Sequence, residues 1–129
     1  MESAASIEEL GGLVGADVVD ALGRSIGNVE EVFADPETRR PAWIGVVRGL
    51  FVRRRVIVPA MGLERVGGLL QVPWTRDRVR RAPQYGAEDR GGILGFGSYS
   101  PMLAVDKRRA AAAHYGIEPE EVSGREAPR

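Results

Sequence analysis

The stretch DALGRSIGNVEEVFAD (Asp20–Asp35) decides the fold. Its apolar residues Ile26, Val29, Val32 and Phe33 recur three or four apart, the period of an amphipathic helix. Two glycines oppose that reading. Gly23 and Gly27 would each cost a helix interior about 1 kcal/mol relative to alanine, and Asp35-Pro36 ends the run in turn chemistry. A returning β-strand accommodates the same residues if Leu22-Gly23-Arg24-Ser25 is the turn before it, with glycine supplying positive φ, and if Gly27 marks a bulge that absorbs the irregular apolar spacing.

The flanks favour the strand. Asp17-Val18-Val19-Asp20 is a short strand candidate before the turn, and Asp35-Pro36-Glu37-Thr38 reads as a type I turn after it. Ala42-Trp43-Ile44-Gly45-Val46-Val47 follows, apolar at both odd and even positions, as expected of a central strand covered on both faces. Arg55-Val56-Ile57-Val58-Pro59 and Leu69-Leu70-Gln71-Val72 are further strands, with Gly67-Gly68 as a turn. Five or six short strands at intervals of about ten residues are the signature of a small antiparallel barrel or sandwich. Thr75 then caps a short helix, Arg76 to Ala82, which Pro83 stops. Beyond it, residues 84–100 are glycine-rich and read as a linker. Residues 101–117 form a C-terminal helix over Met102 to Tyr115, started at Ser100-Pro101 and ended by Gly116, and residues 118–129 make a polar, frayed tail.

Composition narrows the chemistry. A chain of 129 residues fits one domain. It has no cysteine and one histidine, His114, so neither a thiolate nor a multi-histidine metal centre fits within one chain, and a Ser/Cys-His triad is disfavoured. No apolar run approaches the roughly 20 residues of a membrane-spanning helix, and MESAASIEELGG lacks the plan of a secretory leader; a soluble, cytoplasmic protein without membrane insertion is expected.

Formal net charge is zero, yet the charges are segregated. Residues 1–35 hold one arginine against eight carboxylates, residues 36–82 hold eleven arginines against three, and the remainder is near balance. Pairing between the first two blocks would cancel much of this; without it the middle block presents a basic face to an anionic partner.

Gly15 to Asp35, the run Ala42-Trp43-Ile44-Gly45-Val46-Val47-Arg48-Gly49-Leu50, Arg55-Val56-Ile57-Val58-Pro59-Ala60, Leu69-Leu70-Gln71-Val72-Pro73 and the closing Arg80-Arg81-Ala82-Pro83 together resemble the PRC-barrel family. That family includes the cytoplasmic domain of the photosynthetic reaction-centre H subunit and the C-terminal domain of the ribosome maturation factor. The resemblance covers residues 13–83, with residues 1–12 as an N-terminal arm. It implies a mainly β fold, a small antiparallel PRC-type β-barrel with a short helix after the last strand and a C-terminal helix. It further implies a docking module with no established catalytic residues and no cofactor, here a free-standing member.

Gly91-Gly92-Ile93-Leu94-Gly95-Phe96-Gly97 has no following Lys-Ser/Thr and misses the nucleotide fingerprints, so a linker reading is preferred to a phosphate cradle. Trp43 reads as core, Glu30-Glu31 as neighbours on opposite strand faces, and His114 as a helix-end residue rather than a general base. The loop Gly49 to Arg55 is the candidate contact: Leu50, Phe51 and Val52 supply apolar surface with Phe51 as the anchor, and Arg53, Arg54 and Arg55 act as steering charges. Two readings of Phe51 stay open, an interface anchor or a plug that closes the barrel end. The expected activity is thus non-enzymatic protein interaction, with self-association into a homodimer or homo-oligomer and no small-molecule substrate. The alternative is an RNA- or ribosome-associated factor using the basic residues between 39 and 81.

Overall fold

The computed structural model describes residues 14–35, 41–49, 51–86 and 103–117. Six strands form one sheet: β1 (Asp17–Val19), β2 (Ser25–Ala34), β3 (Pro41–Arg48), β4 (Arg54–Pro59), β5 (Glu64–Val66) and β6 (Leu69–Gln71). Two helices follow, α1 (Arg76–Arg80) and α2 (Val105–Tyr115). The stretch from Asp20 to Asp35 is therefore a hairpin turn and a ten-residue strand.

Spatial order is β4-β3-β2-β1-β6-β5. The pairs β1–β2, β2–β3, β3–β4 and β5–β6 are antiparallel, whereas β1 and β6 run parallel, with Val18 beside Leu70 and Val19 beside Gln71. The parallel pair arises because β6 comes to β1 through a long excursion rather than a tight turn. Among the described residues no ladder joins β4 to β5, so the barrel is only partly closed.

The sheet separates two apolar layers. Inside its curve lie Val18, Val29, Ile44, Val56, Leu70 and Val79 of α1. On its outer side Phe33, Trp43 and Ile57 meet Tyr85, Leu103 and Ala112. β3 supplies both layers, which is why its apolar residues occupy both parities. Trp43 is accordingly core.

α2 covers the outer layer. Ala111 and Ala112 are buried, and their small side chains allow a close approach to the sheet. The buried Tyr115 hydroxyl donates to the Ile57 carbonyl at 2.8 Å. Burial pushes that phenol well above the ordinary tyrosine range, so it remains a donor. The helix begins at Val105, later than the Ser100-Pro101 start expected from sequence, and it ends at Gly116 in the left-handed region. α1 keeps the expected Thr75 cap, whose hydroxyl accepts from the Arg78 N–H at 3.2 Å, and it finishes at Arg80 with Ala82 buried beyond it.

One boundary needs correction. Gln84, Tyr85 and Gly86, assigned to the linker by their glycine-rich context, are part of the folded body. Gln84 bridges Val56, the Tyr85 N–H donates to the Arg55 carbonyl, and the Tyr85 ring is buried edge-on against Phe33. The turn at residues 36–38, the glycine-rich run at 91–97, the arm at 1–12 and the tail at 118–129 lie outside the described residues.

Candidate interaction site

β1 gives out at Val19, and Asp20 turns the chain. Its carboxylate is completely buried and fully engaged. Oδ1 accepts from the backbone N–H groups of Leu22 and Arg24 at 2.9 and 2.7 Å; Oδ2 accepts from the Arg24 Nε–H at 3.0 Å and from the Arg76 backbone N–H at 2.9 Å. Burial alone would raise the pKa of this group, but the combined hydrogen bonds from Arg24, Arg76 and Leu22 prevail and hold it at about 2. One side chain thus ties the β1–β2 turn to the start of α1. Gly23, at φ 85°, supplies the positive φ of that turn.

The β3–β4 hairpin leaves the sheet at the cross-strand pair Arg48–Arg54. Gly49 has φ 103°, and a Cβ there would collide with the Val52 carbonyl oxygen, so the bend requires glycine. Leu50 lies outside the described residues. Phe51 and Val52 project into solvent, 95% and 68% exposed. Phe51 does not close the barrel end: the interior is filled without it, mostly by valine and isoleucine with Leu70, Ala82 and Tyr115.

The three consecutive arginines separate into two groups. Arg53 and Arg54 are exposed, while Arg55 is bound to Glu30, its Nε–H donating at 2.8 Å to one carboxylate oxygen and 3.1 Å to the other. The Glu30 hydrogen bond and charge raise the Arg55 pKa above its ordinary value. The Tyr85 hydroxyl donates to the same carboxylate at 2.8 Å, passing over Gly45, where any Cβ would strike the phenol. A bulge makes this possible: the β2–β3 register passes from Val29 to Glu31, and Glu30 is the residue left over. Arg55 and Glu30 form one ion pair between the acidic and basic blocks.

That pairing does not extend to the rest of the basic block. Arg48 is half-buried, and burial followed by the charges of Arg80, Arg54 and Arg76 holds its pKa below the ordinary arginine range. Among the described residues no carboxylate pairs with Arg48, Arg54 or Arg76; Arg80 is 3.6 Å from the exposed Asp77.

Gly27 lies beside an irregularity in the β1–β2 ladder, where Val18 pairs with Gly27 and Val19 with Ser25, leaving Ile26 as the extra residue. A Cβ on Gly27 would meet the Val47 carbonyl oxygen. His114 joins the two helices: its Nε2–H donates to the Arg78 carbonyl at 2.7 Å, and its ring stands edge-on to Tyr115. It stands in the last turn of its own helix, as the sequence predicts, and the contact with α1 comes from tertiary packing.

Among the described residues no three His, Cys, Asp or Glu side chains gather as a metal site, and no helix is long and apolar enough to cross a membrane. Asp20 is the residue whose role the sequence concealed. An aspartate three before a glycine suggests a local turn bond, but its partner on α1 is 56 residues away.

No curated protein matches the chain. The family model of the PRC-barrel domain matches residues 9–81, which span all six strands and α1. The order of these elements and the match over more than half of the sequence identify the chain as belonging to the PRC-barrel domain family.

Proposed function

We propose that this protein is a non-enzymatic docking module of the cytoplasm that binds protein partners and self-associates, with the loop Gly49 to Arg55 at its contact surface. The observation that carries this reading is the near-complete exposure of Phe51 at the hairpin tip, a large apolar side chain with no role in the barrel interior. An aromatic anchor with charged neighbours is the usual composition of an interface hot spot and its rim. Membership of a family whose domains serve as interaction modules supports it.

The test is capture from the native lysate with full-length wild type and Phe51→Ser, with and without nuclease, alongside light scattering for mass. A protein partner that survives nuclease, and a mass above that of one chain, both lost in Phe51→Ser, are the expected results. Retention of partner and mass in the variant removes the loop from the reading.

The uncancelled arginines favour one second reading, an RNA- or ribosome-associated factor. It requires capture that disappears with nuclease and falls steeply with salt.

A further inference from the structure

Two turns of the barrel emerge at one end. β2 starts beside the point where β3 finishes, so the β1–β2 turn and the β3–β4 hairpin are neighbours, with Gly27 packed against Val47 and Arg48. Each turn carries large apolar side chains outward: Leu22, 72% exposed, on one, and Phe51 with Val52 on the other. Alongside these apolar tips are the cross-strand pair Arg48 and Arg54, joined by Arg76 and Arg80 from α1, which act electrostatically on Arg48.

This arrangement works against folding. Like charges directly opposite on adjacent strands are destabilising, as are like charges four apart on a helix, and Arg76 and Arg80 are such a pair. Exposed apolar tips contribute nothing to the core. The same end is nonetheless rigidly built, because Asp20 binds Leu22, Arg24 and Arg76 together. Rigidity lowers the ordering cost when a partner binds.

We infer that this end is one composite docking surface whose occupant is an acidic amphipathic protein segment, with carboxylates meeting Arg48, Arg54, Arg76 and Arg80 and an apolar face covering Leu22, Phe51 and Val52. This rests on the docking reading above and specifies its partner. Charge complementarity requires an anion, and the apolar tips select among anions. Single-stranded RNA needs successive aromatic platforms, and among the described residues Phe51 is the one aromatic in the set of exposed large apolar side chains. Leu22 and Val52 present no π face to a base, and against phosphates they would remain wet. A peptide that is both acidic and apolar satisfies both components.

The experiment is fluorescence anisotropy on the full chain with four probes: a labelled peptide with leucines at helical spacing among glutamates, the same peptide with serine for leucine, oligouridine, and phosphatidylglycerol vesicles. The acidic amphipathic peptide is expected to bind at least about tenfold tighter than each other probe. Phe51→Ser and the pair Arg48→Glu/Arg54→Glu are each expected to weaken it about tenfold, whereas Arg109→Glu on the exposed side of α2 leaves it unchanged. Arg48→Gln/Arg54→Gln repeats the test should the charge reversal not fold.

Equal binding of the serine peptide, tighter binding of oligouridine or vesicles, no binding of any probe, or equal weakening by Arg109→Glu overturns the inference. If the peptide fails while Phe51→Ser still abolishes lysate capture and self-association, the partner chemistry is wrong and the docking reading stands. If Phe51→Ser changes neither capture nor mass, the docking reading has failed with it.

Discussion

The outer face of the sheet and the turn end of the barrel treat the same kinds of side chain in opposite ways. On the outer face, Trp43 and Ile57 are covered by Tyr85 and α2, Arg55 is neutralised by Glu30, and the Tyr85 hydroxyl has an acceptor, while Tyr115 of α2 reaches the inner cluster and donates to the Ile57 carbonyl. At the turn end, Phe51 and Leu22 are bare and three arginines lack a carboxylate among the described residues. Both regions are ordered by buried hydrogen bonds. The contrast separates a surface completed by its own chain from one built rigidly yet left open.

The comparison breaks first at Asp20. Asp20→Ala leaves several N–H groups without their acceptor and should cost about 3 kcal/mol, read by urea denaturation. Acid probes the same group. Its pKa falls from 3.8 to about 2 on folding, so its stabilisation is complete above pH 3.8 and is lost as pH drops toward 2. That contribution is about 2 kcal/mol, and Asp20→Asn should show a flatter stability profile between pH 5 and pH 2, within about 1 kcal/mol.

The covered face responds next. Gly45→Ala drives a methyl into the Tyr85 phenol and should cost about 2 kcal/mol, with part of the loss recovered in Gly45→Ala/Tyr85→Phe; a double-mutant cycle in thermal unfolding measures the coupling. Tyr115→Phe removes the bond to Ile57 but keeps the packing, and about 1 kcal/mol should be lost. At the open end the effects shrink and change sign. Phe51→Ser should leave unfolding within about 0.5 kcal/mol of wild type, and Arg48→Gln should stabilise by a few tenths through relief of repulsion from Arg54.

What could be read from sequence follows the range of the interaction responsible. Trp43 and its neighbours reveal a doubly covered strand because burial on both faces leaves both parities apolar. Thr75 reveals α1 because a cap acts within one helical turn. β5 gives no such signal: Glu64, Arg65 and Val66 are all exposed on an edge, so no alternation records them. Tyr85 was hidden by its glycine-rich surroundings, since its place depends on an empty position at Gly45 and a bulged Glu30 far away in the chain. At the candidate site, Phe51 and the arginine run could be named from composition. Their neighbours Leu22, Arg48, Arg76 and Arg80 could not, because the topology of three separate segments brings them together.

The segment from Pro83 to Tyr85 has a practical meaning for how this domain is cut. The family match stops at residue 81, yet the Ile57 N–H donates to the Pro83 carbonyl and the Arg55 carbonyl accepts from Tyr85, so the free margin of β4 is occupied only by what comes afterwards. A fragment trimmed to the matched residues would present bare main-chain groups along an apolar strand, beside the stripped Trp43 and Ile57, and would adhere to its own copies. The autonomous folding unit therefore reaches at least to Ile117, and recombinant fragments should be drawn to that length.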